Sequence, residues 1–142
     1  MTRILFVCHG NICRSPMAEF VLKDMVSKAG VADRFYIESA AASREELGNP
    51  IYPPAQRELT RHGIIGASHR ARQITRADLD RFDRIYYMDS RNARYLRQLF
   101  PGEDCFLPFL PHDVADPWYS GDFTQTWEDI TLGCQRILEE FL

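Results

Sequence analysis

Ile4-Leu5-Phe6-Val7 is an unbroken apolar run that ends in the thiol of Cys8, and Ser15-Pro16 opens a helix seven residues further on. The run is short, β-rich and without polar alternation, so Arg3 to Cys8 reads as a strand buried on both faces. Ser15 as N-cap and Pro16 in the first turn start a helix expected to reach about Ala29. Met17, Phe20, Val21, Met25 and Val26 recur along it at helical spacing, and Gly30 supplies a stop. A strand buried on both faces needs cover on both sides, which narrows the fold to layered α/β arrangements.

The rest of the chain repeats this alternation. Phe35 to Ser39 reads as a second strand, and Ala40 to Pro54 as a loop with Gly48-Asn49-Pro50 and Pro53-Pro54 as turn signals. A helix from about Pro54 to His62 carries Ala55, Leu59 and His62 on one side. Thr75 caps a short helix through Asp80. Asp83 to Met88 is a third strand, Ser90 to Phe100 a helix, and Glu103 to Leu107 a weaker fourth strand. Pro108 to Asp122 is a long, proline-bearing loop, of the kind usually kept for function. Phe123 to Phe141 closes the chain as a helix with Trp127, Ile130, Cys134, Ile137, Leu138 and Phe141 as its buried stripe.

The expectation is one α/β domain over residues 1–142. It is a single-domain three-layer sandwich, a four-stranded parallel sheet with helices on both faces and a phosphate-binding loop after strand one. Right-handed crossovers place the loops after strands one and four on the same sheet edge.

Charge and cysteine content remove several function classes. The net charge of −3 argues against nucleic-acid binding, and no apolar run approaches the roughly 20 residues of a membrane span. The N-terminus shows no signal-peptide pattern, so the expected location is cytoplasmic. The basic residues are nearly all arginines, many between Arg57 and Arg97. They read as solvated helix faces, or as groups that draw acidic or phosphorylated substrates. Cys8, Cys13, Cys105 and Cys134 form no Cys-x-x-Cys pair and no cluster with histidine, so no metal and no cofactor is expected. Cys105 and Cys134 read as core residues.

Cys8-His9-Gly10-Asn11-Ile12-Cys13-Arg14-Ser15 brackets a short loop with a thiol and a guanidinium. A phosphate monoester needs donors for its nonbridging oxygens, an in-line nucleophile and an acid for the leaving group. Backbone N–H groups from His9 to Arg14 can converge on a tetrahedral anion, with Gly10 easing a tight turn. Arg14 can grip two oxygens at once. A helix N-terminus and a guanidinium beside Cys8 favour the thiolate, and the Ser15 hydroxyl can hydrogen-bond it. Asp116 stands in an Asp-Pro pair, which by itself signals only a turn; with the thiol loop on the same edge it becomes the candidate acid. Asp113, close by without the Pro-aromatic context, ranks second.

Val7-Cys8-His9-Gly10-Asn11-Ile12-Cys13-Arg14-Ser15-Pro16-Met17-Ala18-Glu19 resembles the signature of the low-molecular-weight protein tyrosine phosphatases. Ala71-Arg72-Gln73, Phe82-Asp83-Arg84-Ile85, Met88-Asp89 and Asp116-Pro117-Trp118-Tyr119 resemble segments of that family in the same order. The resemblance implies phosphotyrosine hydrolysis through a cysteinyl-phosphate on Cys8, with Arg14 binding phosphate and Asp116 as general acid, then base. It implies that Asn11 braces the loop and that His69 and Asp89 extend a polar network to Asn11 and Ser15. Cys13 would be a redox partner of the nucleophile. Trp118 and Tyr119 would wall the pocket, and His9 would sit on its rim, with His62 and His112 structural or solvent-facing.

The chain departs from the family pattern between Ala40 and Pro54, where no aromatic precedes Tyr52 and Glu45 and Glu46 appear instead. Tyr52 is then the candidate to complete the wall. A related arginine phosphatase branch resembles Cys-x-Gly-Asn-Thr-Cys-Arg-Ser, and Ile12 replaces that Thr, which favours tyrosine. A thioredoxin-coupled arsenate reductase would need a downstream cysteine pair, and a Cys phosphocarrier domain would not need Asp116. The partners implied are a phosphotyrosine-containing protein and a tyrosine kinase of the same pathway, with no nucleic acid and no membrane, for a monomer or weak dimer.

Overall fold

Ile4, Phe6 and Cys8 point to one side of the first strand and Leu5 and Val7 to the other, and all five are buried. This strand, β1 (Thr2–Cys8), lies inside a four-stranded, all-parallel sheet in the computed structural model, which describes residues 1–66 and 68–142. The spatial order is β2-β1-β3-β4, with β2 spanning Phe35–Ala41, β3 Arg84–Tyr87 and β4 Phe106–Pro108.

One face of the sheet packs against α1 (Arg14–Lys28), α2 (Pro53–Arg61) and α6 (Phe123–Phe141), around Phe6, Met17, Leu22, Leu59 and Ile130. The other face carries α3 (Arg76–Arg81) and α4 (Ser90–Leu99), packed on Leu5, Val7 and Ile85 through Ile74, Phe82, Leu96 and Phe100. The three-layer arrangement follows from β1 having no polar face to leave in water. Each fully buried Ile, Leu, Phe or Val there contributes about 1.5–3 kcal/mol.

Several elements differ from the sequence expectation. Helix α1 begins at Arg14 with Cys13 as N-cap, so Ser15 lies inside the first turn rather than capping it; its hydroxyl is turned toward Cys8. Ala18 and Leu22 are fully buried on α1, whereas Phe20 and Met25 are half-buried. Strand β2 runs on past Ser39 to Ala41, pairing Ala41 with Cys8, because Ala40 and Ala41 are small enough to lie flush in the core. His62 falls beyond α2, and its ring stacks on Trp127 with centroids 3.6 Å apart. Cys105 is exposed just before β4 instead of buried, while Cys134 is in the core. The long loop contains a short helix, α5 (Pro117–Ser120).

Thr75 and Asp78 form the capping box of α3, and Asp89 and Asn92 that of α4. Gly133 in α6 sits against the Phe109 ring, where a Cβ would come within 2.1 Å. No helix among the described residues is long and apolar enough to cross a membrane.

Candidate active site

The loop from Cys8 to Arg14 leaves the C-terminal end of β1, and Asp116 follows β4 on the same edge. Together they close a cavity of about 160 Å³ lined by Cys8, Ile12, Arg14, Asp116, Trp118 and Glu46, with His9, Gly10, Cys13, Glu45 and Tyr119 completing it. Sequence-distant residues meet there because all four strands run the same way.

The loop's turn is made by Asn11, not by Gly10. Asn11 adopts φ 59°, the left-handed region that Asn tolerates better than most residues. Gly10 has a different reason to be small, since a Cβ there would lie 3.2 Å from Glu46 Cγ.

Asn11 is wholly buried, and its side-chain polar atoms and its carbonyl are all engaged. Its Oδ1 accepts the Arg72 N–H at 3.2 Å, which fixes the amide orientation. Its Nδ2 donates to Ser15 Oγ at 2.8 Å and to Ser39 Oγ at 2.9 Å. Its carbonyl accepts from His69 Nε2 at 2.8 Å, so that ring carries its proton on Nε2. Ser39 Oγ in turn donates to Glu19 Oε1 at 2.6 Å, and Lys23 Nζ donates to Glu19 Oε2 at 2.6 Å.

This polarity has a consequence at the thiol. Ser15 Oγ accepts from Asn11, so its own proton is free to point at Cys8 Sγ, 3.1 Å away, with Ala40 O a longer alternative at 3.4 Å. The Ser15 backbone N–H also donates to Cys8 Sγ, at 3.4 Å. Two donors therefore face the sulfur, as a thiolate requires.

Arg14 is 2% exposed and ties the two halves of the site together. Its Nη1 donates to Asp89 Oδ2 at 2.6 Å and to Val114 O at 2.7 Å. Its Nη2 reaches Asp116 Oδ2 at 3.4 Å. Burial opposes the guanidinium's charge, but Cys8, Asp116 and Asp89 around it hold the cation more firmly than usual. Burial likewise works against the Asp89 carboxylate, and the Arg14 charge and hydrogen bond overcome it, leaving its pKa below the ordinary range. Burial, with Cys8 next to it, pushes the Cys13 thiol up. At His69, burial outweighs the Asn11 carbonyl and the ring's pKa is lowered.

Asp116 caps α5, its Oδ1 accepting the Trp118 N–H at 3.1 Å, which leaves Oδ2 toward Arg14 and the cavity. Asp113 is engaged elsewhere, accepting from Ser90 N and Oγ at 3.1 and 3.0 Å. Asp89 was expected to reach Asn11 and Ser15; it bonds Arg14 and caps α4 instead. Tyr52 does not line the cavity. Its ring packs behind Trp118, centroids 4.7 Å apart, and so buttresses the wall. The rim opposite is polar, with His9 Nε2 2.8 Å from Glu45 Oε2.

Ser39, Glu19 and the Val114 carbonyl escaped the sequence reading. Only Glu19 left a trace, as a charge four residues after Ser15 on the same face of α1. Among the described residues no group of three His, Cys, Asp or Glu side chains is arranged to hold a metal ion.

A buried thiol under a guanidinium, at a strand end facing a helix start, with an acid across the mouth, is the layout of an enzyme that handles phosphate esters. The family model described as low molecular weight phosphotyrosine protein phosphatase matches residues 3–141, and the chain belongs to this family of phosphatases. It is 37% identical over 147 residues to the low molecular weight protein-tyrosine-phosphatase YfkJ of Bacillus subtilis, covering 97% of this chain and 94% of that protein. The YfkJ crystal structure superposes with a TM-score of 0.92 over 99% of this chain and 94% of that one. The low molecular weight protein tyrosine phosphatase of Streptococcus pyogenes is 40% identical, with a TM-score of 0.92 over 100% of this chain and 94% of that chain. A Drosophila arginine phosphatase is also similar, at 30% identity and a TM-score of 0.87, over 99% of this chain and 98% of that chain.

Proposed function

We propose that the chain, as one catalytic domain over residues 1–142, hydrolyses phosphotyrosine in proteins through a covalent phosphocysteine. The observation that carries this reading is the Cys8 sulfur, faced by Ser15 Oγ at 3.1 Å inside a cavity that Arg14 and Asp116 also line.

The Cys8 thiolate attacks phosphorus opposite the ester oxygen. A P–S bond forms, the P–O bond to tyrosine breaks, and Asp116 gives its proton to the departing phenolate. The backbone N–H groups between His9 and Arg14, with the Arg14 guanidinium, receive the charge of the nonbridging oxygens. In the second step Asp116, now a carboxylate, takes a proton from water as the water attacks the phosphocysteine. Inorganic phosphate leaves, and the electron pair returns to the Cys8 sulfur, where Ser15 offers its hydroxyl proton as a hydrogen bond. Trp118 and Tyr119 flank the mouth and suit an aromatic substrate ring. Within the same reading the partners are phosphoproteins and the tyrosine kinase that makes them, in the cytoplasm, and the enzyme acts as a monomer or weak dimer. Cys13, beside the nucleophile in the same buried loop, is the candidate redox partner of Cys8.

Arginine dephosphorylation is the second reading, favoured by one feature: Glu45 and Glu46 on the rim could pair with a phosphorylated guanidinium. Ile12 weighs against it, since an apolar side chain lines the cavity where that branch has Thr. Neither Cys105 nor Cys134 lines the cavity, which leaves an arsenate reductase without its shuttle.

The test offers phosphotyrosine, phosphoarginine and phosphoserine peptides to wild type, Cys8→Ser and Asp116→Ala. The proposal expects preference for phosphotyrosine and loss of turnover in Cys8→Ser. Preference for phosphoarginine would overturn the substrate assignment, and wild-type turnover by Cys8→Ser would overturn the covalent route.

A further inference from the structure

Trp118 borders two separate spaces. One is the catalytic cavity; the other is an open groove of about 530 Å³ between α2 and the α5 segment. Tyr52, Pro117, Trp118 and Phe123 form its apolar lining, and Arg57, Glu58 and Arg61 its polar side. The Tyr52 ring joins the lining together, 4.7 Å from Trp118 and 6.2 Å from Phe123, centroid to centroid.

The charges of this groove are not balanced. Glu58, its one carboxylate, is buried with both oxygens engaged, Oε1 by Arg61 Nη1 at 3.1 Å and Oε2 by His62 Nε2 at 3.1 Å. Arg57 is exposed and has no hydrogen-bond or ion-pair partner among the described residues, so the groove keeps a free guanidinium. Across the cavity the rim has the opposite sign, with Glu45 and Glu46. A peptide with its phosphotyrosine in the cavity thus meets positive charge on one side of Trp118 and negative charge on the other.

We propose that the groove between α2 and α5 is a second substrate subsite, which takes an acidic side chain flanking the phosphotyrosine. Arg57 supplies the charge and the Tyr52–Trp118–Phe123 lining supports the peptide beside it. This rests on the phosphotyrosine reading and adds sequence selectivity to it. Electrostatic matching of this kind sets partner choice and encounter rate more than raw affinity.

The experiment uses one phosphotyrosine peptide with its flanking positions on either side set to Glu, Ala or Lys, and reads kcat/KM ratios within each enzyme variant. In wild type, a Glu flank on one side is favoured over Ala by about fivefold at low salt, the upper range for an exposed ion pair, and the ratio shrinks as salt rises. Arg57→Ala brings the ratio to about one on the same scale, and Arg57→Glu turns the preference toward Lys. Equal rates for Glu and Ala peptides in wild type, or an acidic preference that survives Arg57→Glu, would overturn the subsite while leaving the phosphotyrosine reading intact. Wild-type hydrolysis of phenyl phosphate no faster than that of Cys8→Ser would overturn both.

Discussion

Asn11 shows how much of this site hangs on one side chain. It supplies the left-handed turn, holds Ser15 toward Cys8 and fixes the loop to Arg72. Replacing it by Ala loses three hydrogen bonds and leaves buried partners unmet, each at about 1–3 kcal/mol. The expected outcome is a lower melting temperature and a kcat reduced roughly 10- to 100-fold, measured by thermal unfolding and phenyl phosphate turnover. Asp116→Ala should lower kcat by about 10²- to 10⁴-fold with phenyl phosphate. It should cost less with a nitrophenyl leaving group, which needs no proton. Asp89 makes a prediction in pH. Its folded-state pKa lies below the ordinary 3.8, so the unfolded state binds its proton first as pH falls. Its contribution to stability is complete above that ordinary value and is lost as pH drops through the lower folded-state value. Acid unfolding of Asp89→Asn should therefore show a shallower loss of stability below about pH 4 than wild type. That Cys8, Arg14 and Asp116 would meet was legible because a thiol and a guanidinium bracket the loop between strand and helix; Asp116, whose Asp-Pro pair alone signals a turn, stood out only through its place on the same sheet edge. Ser39 and Glu19 were not, because nothing in a strand serine or a helix glutamate announces that the fold puts it behind Asn11.

At the scale of elements, the β1-loop-α1 unit was readable from the unbroken apolar run Ile4-Leu5-Phe6-Val7 and from Pro16. Boundaries were less so, since they depend on contacts between elements. Ser15 looked like a cap until the helix started at Arg14 and freed its hydroxyl for Cys8. The helix α5 inside the long loop was hidden because it has only four residues, Pro117–Ser120, and is held by the Asp116 cap rather than by apolar periodicity. Gly133 was silent as well, being a helix-interior residue that usually only weakens a helix. Its place against Phe109 makes it a packing requirement. Gly133→Ala, favourable for helix propensity, should instead destabilise by about 1–3 kcal/mol through overpacking, read as a lower denaturant midpoint with an unchanged slope.

For the whole molecule, the parallel sheet is what makes a site out of residues far apart in sequence, because it gathers the ends of β1, β3 and β4 on one edge. Length, strand–helix alternation and the right-handed crossover rule were enough to expect that architecture. The rim was beyond reach, since Tyr52 lies behind Trp118 rather than in the cavity only because α2 and α5 pack as they do. Product binding should be visible globally. Inorganic phosphate at about 100 times its dissociation constant should raise stability by about 2.7 kcal/mol, and Arg14→Lys should lose most of that shift at equal phosphate. The central claim is a phosphate carried on Cys8. Asp116→Ala mixed with nitrophenyl phosphate, whose leaving group departs without a proton while the missing base slows hydrolysis, should carry one phosphoryl group on the Cys8 sulfur when quenched within one turnover and mapped by mass spectrometry. Turnover without any phosphorylated Cys8, or with the label on another residue, would contradict it.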